Sequence, residues 1–370
     1  MDIMPYLRLM VEKQASDLFF YVGAPVHVKI NGILRPIGDQ ALESGAVRQL
    51  AYAVMREAQI RQFEEELELN FAVSGKGLGR FRANIFMQRG EVALVIRYIQ
   101  SEIPSIEQLN LPPLLKELIL EKNGMILVVG ATGSGKSTSL ASMIDHRNGT
   151  TPGHILTIED PIEFTYAHKK SVVGQREVGI DTLSYGNALM SAMREAPDVI
   201  LIGEIRDMDT MKYAIHYAET GHLCLSTLHA SNANGALERI VNFFPEGARG
   251  QFLMDLSSNL KAIISQRLVR AVAGGLVPAV EIMLNTPYIS DLIMKGNLEK
   301  IKEAMQKGGE TGMQTFDQSL LSLYRAGKIS MDETVRNADS KTDVTLQIRL
   351  ASGQQQDGRP KLDKIGTPQL

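Results

Sequence analysis

Residues 125–137 read Met125-Ile126-Leu127-Val128-Val129-Gly130-Ala131-Thr132-Gly133-Ser134-Gly135-Lys136-Ser137. A five-residue apolar run has the pattern of a buried strand. It leads straight into G-x-x-x-x-G-K-[ST], a phosphate-binding loop. Glycine lets consecutive backbone N–H groups converge on phosphate oxygens. Lys136 adds a positive point charge for the terminal phosphates, and the Ser137 hydroxyl can ligate Mg²⁺. Leu140, Met143 and Ile144 share one helical face after the loop, so a helix is predicted there. Its positive dipole end adds to the attraction for phosphate. Gly149 is its predicted C-terminal stop.

Strand, loop and helix alternate onward from Leu114, the signature of an α/β fold with a parallel sheet. Ile155–Ile158 is a second predicted buried strand, ending in Glu159-Asp160-Pro161 and then Glu163. Val199–Ile202 is a third and runs into Gly203-Glu204. Ligands of open α/β sheets bind at the carboxyl ends of strands. Both acidic sets occupy such ends, as carboxylates serving Mg²⁺ and an attacking water would. Leu223–Leu228 is a fourth run, flanked by His222 and His229. A zinc reading lacks further ligands, since Cys224 is the only cysteine. Two readings of the histidines stay open: structural imidazoles, or hydrogen-bonding partners of a γ-phosphate or a neighbouring subunit.

The first hundred residues follow another rhythm. Ile3, Leu7, Met10 and Val11 predict an amphipathic opening helix. Leu18–Ile30 reads as strands, and Asn31-Gly32 is a predicted two-residue hairpin turn. A helix is predicted from about Ser44, with a polar continuation to about Glu66. Two more strands follow, at Phe81–Ile85 and Glu91–Ile99. A turn centred between Arg89 and Gly90 sets Arg82 opposite Arg97 on one face. Like charges so opposed are destabilising. Either each arginine pairs with a surface carboxylate, the register differs, or the two cations await an anion such as phosphate.

The 370 residues suggest two or three domains. Lys plus Arg total 39 and Asp plus Glu 42, for a net charge of −3. The broad basic footprint of a nucleic-acid binder is absent, and no nucleic-acid partner is expected. A single cysteine rules out an intrachain disulfide. No apolar run approaches the roughly 20 residues of a membrane helix, and no secretory signal is read at the N-terminus. A soluble, cytoplasmic protein is the expectation. The expected domains are 1–100, a Pro-containing linker 101–113, a nucleotide-binding domain with helical C-terminal part at 114–352, and a disordered tail at 353–370.

These motifs, in their order, resemble the type IV pilus retraction ATPases of the PilT/PilU branch of the secretion ATPases. The markers are Ala15-Ser16-Asp17-Leu18, the phosphate loop, Thr157 to Phe164, Gly203-Glu204-Ile205-Arg206-Asp207, and Thr220-Gly221-His222 through Thr227-Leu228-His229. Gly130-Ala131-Thr132, Leu223-Cys224-Leu225 and Asn242-Phe243-Phe244-Pro245 lie nearer the PilU side. Tyr288–Lys295 departs from the Ala-Ile-Arg-Asn-Leu-Ile-Arg-Glu segment of the PilT side.

The resemblance implies a PAS-like N-terminal α+β domain, a RecA-like ATPase domain and a homohexameric, Mg²⁺-dependent ATPase driving pilus retraction and twitching motility. It implies that Gly130, Ala131, Thr132, Gly133, Ser134, Gly135, Lys136, Ser137 and Thr138 bind ATP. Glu204 would hold Mg²⁺ through water beside Ser137, and Glu163 would be the general base, with Glu159 and Asp160 supporting. His222 and His229 would couple nucleotide state to domain position. Arg82 and Arg97 would complete the nucleotide site. The implied partners are an inner-membrane pilus platform protein and a paralogous retraction ATPase, at the inner face of the cytoplasmic membrane. The alternatives are a pilus assembly or type II secretion ATPase, and an accessory subunit tuning a partner motor.

Overall fold

Apolar residues at alternate positions build the first sheet. The computed structural model describes residues 2–30, 32–75 and 77–356, the last six as backbone. Helix α1 (Met4–Glu12) precedes β1 (Asp17–Phe20), β2 (His27–Ile30) and β3 (Ile33–Pro36). Then come α2 (Ala46–Tyr52), α3 (Glu57–Glu66), β4 (Glu68–Gly75), β5 (Gly79–Gln88) and β6 (Glu91–Ile99). The six strands form one antiparallel sheet in the order β3-β2-β1-β6-β5-β4. One face packs Phe20, Phe71, Phe81, Ile85 and Ile96 against Leu7 and Met10 of α1 and Leu50 of α2. Each such side chain, fully buried, contributes about 1.5–3 kcal/mol.

Two expectations change here. The single helix predicted from Ser44 to Glu66 is two helices. Arg56 adopts extended backbone and its N–H donates to the Gln59 side chain at 2.9 Å, starting α3 afresh. Strand β4 was not foreseen. Leu69, Phe71 and Val73 alternate correctly, but this short run follows directly on the polar end of a helix. Of the predicted Asn31-Gly32 turn, Gly32 has φ +79° and Ile30 pairs with Ile33; Asn31 lies outside the described residues.

Onward, the chain forms α4 (Leu114–Leu118), β7 (Gly124–Val129), α5 (Lys136–Thr150), β8 (Gly153–Glu159) and β9 (Ser171–Glu177). Next are α6 (Tyr185–Ala192), β10 (Val199–Ile202), α7 (Met208–Glu219), β11 (Leu223–Leu228) and α8 (Ala233–Val241). The last part comprises α9 (Arg249–Asn259), β12 (Leu260–Arg270), β13 (Leu276–Leu284), α10 (Pro287–Met294), α11 (Ile301–Lys307), α12 (Phe316–Arg325), α13 (Met331–Asn337) and α14 (Lys341–Gln356). The α/β class is as expected. Helix α5 runs one residue past Gly149. The expected tail boundary at 353 falls inside α14, and residues 357–370 lie outside the described residues.

Two compact units divide the chain: Met1–Ile106 with Leu115–Met125 and Ser137–Thr227, and Glu107–Leu114 with Ile126–Lys136 and Leu228–Leu370. In the first unit β11, β10, β8 and β9 pair in parallel in that order. Every residue of β10 and β11 is buried, as parallel strands covered on both faces require. Asp207 accepts the Thr210 N–H at 2.8 Å and caps α7. In the second unit β12 and β13 form a nine-pair antiparallel ladder. Val269 and Val277 pack there with Phe316, Leu320, Val344 and Ile348.

Candidate nucleotide site

Backbone shape makes the phosphate loop. Gly130, Gly133 and Gly135 have φ of +157°, +76° and +87°, values that favour a residue without Cβ. A Cβ on Gly130 would lie 2.4 Å from Ser134 Oγ and 2.6 Å from the Gln266 carbonyl oxygen. One on Gly135 would lie 2.7 Å from Gln266 Nε2. The loop is thus a cradle packed on β12. Lys136 Nζ donates to the carbonyls of Gly130 at 3.0 Å and Ala131 at 2.9 Å, folding over the loop. The buried Ser134 hydroxyl has no hydrogen-bond partner, which suits a loop shaped for an incoming oxyanion. Gln266 carries no motif, and only its place on β12 reveals it.

The strand-end acids belong to the first unit. Ile158 pairs with Ile202, so Glu159 and Gly203 leave neighbouring strand ends. Gly203 allows that approach, because a Cβ would meet the Tyr185 hydroxyl at 2.9 Å and the Ile158 carbonyl oxygen at 3.2 Å. Glu159 Oε1 accepts from Thr157 Oγ1 at 2.6 Å and Gln175 Nε2 at 3.5 Å. Burial pushes the Glu159 carboxyl up to about 7 against those two hydrogen bonds, with Glu163 and Glu177 adding repulsion. Neither Thr157 nor Gln175 was singled out as a site residue in the sequence. Glu204 accepts from Arg206 Nε at 2.7 Å, and the same guanidinium lies 4.0 Å from Asp160. The Thr227 hydroxyl donates to the Gly203 carbonyl at 2.6 Å, tying β11 to the Glu204 turn.

A cavity of about 890 Å³ gathers Arg82, Arg97, Thr138 and Glu163 on its wall. Glu163 is exposed there, on the loop after a cis Asp160–Pro161 bond. The two-residue turn at Arg89-Gly90 places Arg82 directly opposite Arg97, as the sequence predicts. Each arginine has a carboxylate: Arg97 Nε donates to Asp17 Oδ1 at 2.8 Å, and Arg82 Nε lies 3.7 Å from Glu177 Oε1. Each arginine thus faces a carboxylate, but both acids are buried, not the surface carboxylates expected, and both cations also border the cavity. Sequence reasoning missed Glu177, because β9 was not foreseen.

His222 follows α7. Its Nδ1 lies 3.1 Å from Thr220 Oγ1 and 3.2 Å from the Tyr217 carbonyl. His229 is half-buried just after β11 in the second unit. Mg²⁺ needs only one or two protein oxygens beside phosphate and water. Ser137 and Glu204 are donors of that hard-oxygen kind.

These features define a class of protein. Residues 1–276 match the family described as type II/IV secretion system protein, and the chain belongs to that family, in its branch of pilus ATPases PilU and PilT. The type IV pilus ATPase PilU of Pseudomonas aeruginosa is 50% identical over 353 residues, covering 95% of this chain and 92% of PilU. The type IV pilus retraction ATPase PilT of the same organism is 42% identical, covering 91% of this chain and 98% of PilT. A crystal structure of the pilus retraction motor PilT with bound ADP superposes with a TM-score of 0.85 at 42% identity, covering 92% of this chain and 98% of that one. These similarities bear out the resemblance read from the motifs.

Proposed function

We propose that this chain is an ATP-hydrolysing motor of the type IV pilus machine that promotes pilus retraction and twitching motility. The observation that carries this reading is the cradle at Gly130–Lys136, where a Cβ on Gly130 would meet the Gln266 backbone and the buried Ser134 hydroxyl lacks a partner. In this reading the first sheet is a PAS-like domain and the second part a RecA-like ATPase domain. Gly130 to Thr138 grip ATP, with Lys136 on the terminal phosphates. Ser137, and Glu204 through water, hold Mg²⁺. What bound Mg²⁺ supplies is neutralisation of phosphate charge.

Glu163 orients the attacking water and takes its proton, with Glu159 and Asp160 shaping the field around it. Arg82 and Arg97 stabilise charge on the transferred phosphoryl group, the dominant need of such reactions. His222 and His229 report nucleotide state to the rest of the molecule. Six copies form a ring on the inner face of the cytoplasmic membrane. The ring works on a pilus platform protein, beside a paralogous retraction ATPase.

Deletion in the native host tests the reading. Surplus surface pili with lost twitching motility is the expected result. Bald cells would overturn it in favour of an assembly motor.

A further inference from the structure

The two opposed arginines are held very differently. Lys29, Asp17, Arg97 and Arg82 form one row across β2, β1, β6 and β5, through the registers Asp17–Lys29, Asp17–Arg97 and Arg82–Arg97. Directly opposed residues share a face, so the row alternates one acid among three cations. Asp17 is fully engaged: Oδ1 accepts from Arg97 at 2.8 Å and Oδ2 from the Ser16 hydroxyl at 2.8 Å. This gives the Ala15-Ser16-Asp17-Leu18 motif a physical task, fixing Arg97.

Arg82 has no such tie. Its nearest carboxylate is Glu177, at 3.7 Å, beyond hydrogen-bond length. The Glu177 side chain is 1% exposed, neither oxygen has a hydrogen bond of ordinary geometry, and the Ile162 N–H is the one backbone donor near enough to favour its charged form. A buried carboxylate left so is costly. Arg80, which pairs with Asp181 at 3.5 Å, supplies the other nearby positive charge. Burial pushes the Glu177 carboxyl up, opposed first by Arg82. The contact is loose, and an anion offering short charge-assisted hydrogen bonds competes well for the same guanidinium.

We infer that Glu177 is a positioning residue that restrains Arg82 until a terminal phosphate draws the guanidinium away, while Arg97 stays fixed by Asp17. The inference rests on the nucleotide reading of the cavity that Arg82, Arg97 and Glu163 line. It predicts that Glu177 lowers affinity for ATP and leaves affinity for ADP unchanged, because only ATP carries the phosphate that competes for Arg82.

The test compares ATP and ADP binding by calorimetry in the full chain, for Glu177→Gln and Glu177→Met, each with and without Arg82→Ala. Both single variants are expected to bind ATP about fivefold tighter, the size of one partly exposed ion pair, with ADP affinity unchanged. The gain should vanish when Arg82→Ala is added. Two variants are used because the amide of Gln meets the same unpartnered pocket, whereas Met fills it without polar atoms. Unchanged or weaker ATP binding in both overturns the inference. So does an equal gain for ADP, or a gain that persists without Arg82. Lys136→Ala run in parallel separates the two levels: if it leaves ATP binding intact, the nucleotide reading falls and this inference with it.

Discussion

Glu163 and Lys136 would contribute at different moments of the reaction. A base acts in the transition state, whereas Lys136 contacts phosphate throughout. Glu163→Gln should leave ATP affinity near the parental value and cut turnover by about 10²-fold or more. Lys136→Ala should lose binding and turnover together. Steady-state ATPase rates paired with calorimetric affinities separate the two. Glu159 is the competitor, since its carboxyl near 7 is better matched to proton transfer at neutral pH. Normal hydrolysis by Glu163→Gln with a dead Glu159→Gln would move the base to Glu159.

Glu159 also makes a pH prediction. Its folded value of about 7 lies above the ordinary 4.5, so folding favours the protonated acid. That stabilisation is complete below about pH 4.5 and is lost as pH rises through about 7. The melting temperature of the nucleotide-free protein should fall between about pH 4.5 and 7. Glu159→Gln should flatten that fall.

Among the elements, the loop between β7 and α5 tolerates change unevenly. Gly130→Ala sets a Cβ against the Gln266 backbone, which cannot swing aside. It should cost about 1–3 kcal/mol, the range for a strained backbone position, and weaken ATP binding as well. At Gly133 nothing lies within 4 Å of the added carbon, so Gly133→Ala should cost only the αL penalty, about 1–2 kcal/mol. Urea unfolding of both variants checks the order.

Strand β12 is clamped to the C-terminal helices by Arg267. Its guanidinium lies 3.8 Å over the Phe316 ring and donates to Asp339 at 2.8 Å and the Asn337 carbonyl at 3.0 Å. Arg267→Lys keeps the charge but loses the planar stack and fork. A destabilisation of about 1–2 kcal/mol is expected, read as a lower urea midpoint.

For the whole molecule, the proposed motor needs several copies. Light scattering at micromolar concentration, with and without ATP, should find a ring, most simply six chains. Monomer under both conditions would remove the ring. Arg97→Ala should retain much of its ATP affinity, because the Gly130–Ser137 loop is untouched, yet lose hydrolysis.

The phosphate loop, the four buried strands and the Arg82–Arg97 opposition were legible in the chain because each depends on near neighbours. Glycine spacing, an apolar run and a two-residue turn act over a few residues, and a turn sets hairpin register. The break between α2 and α3 was hidden, since Arg56 looks like any helical arginine until Gln59 bonds back to it. Glu177, Gln266 and Asp17 could be weighed only in three dimensions. Their partners Arg82, Gly135 and Arg97 are distant along the chain, and burial decides what a charge or amide costs. The motifs determined which groups meet phosphate. Packing determined which of those groups are held fast and which are left free to move.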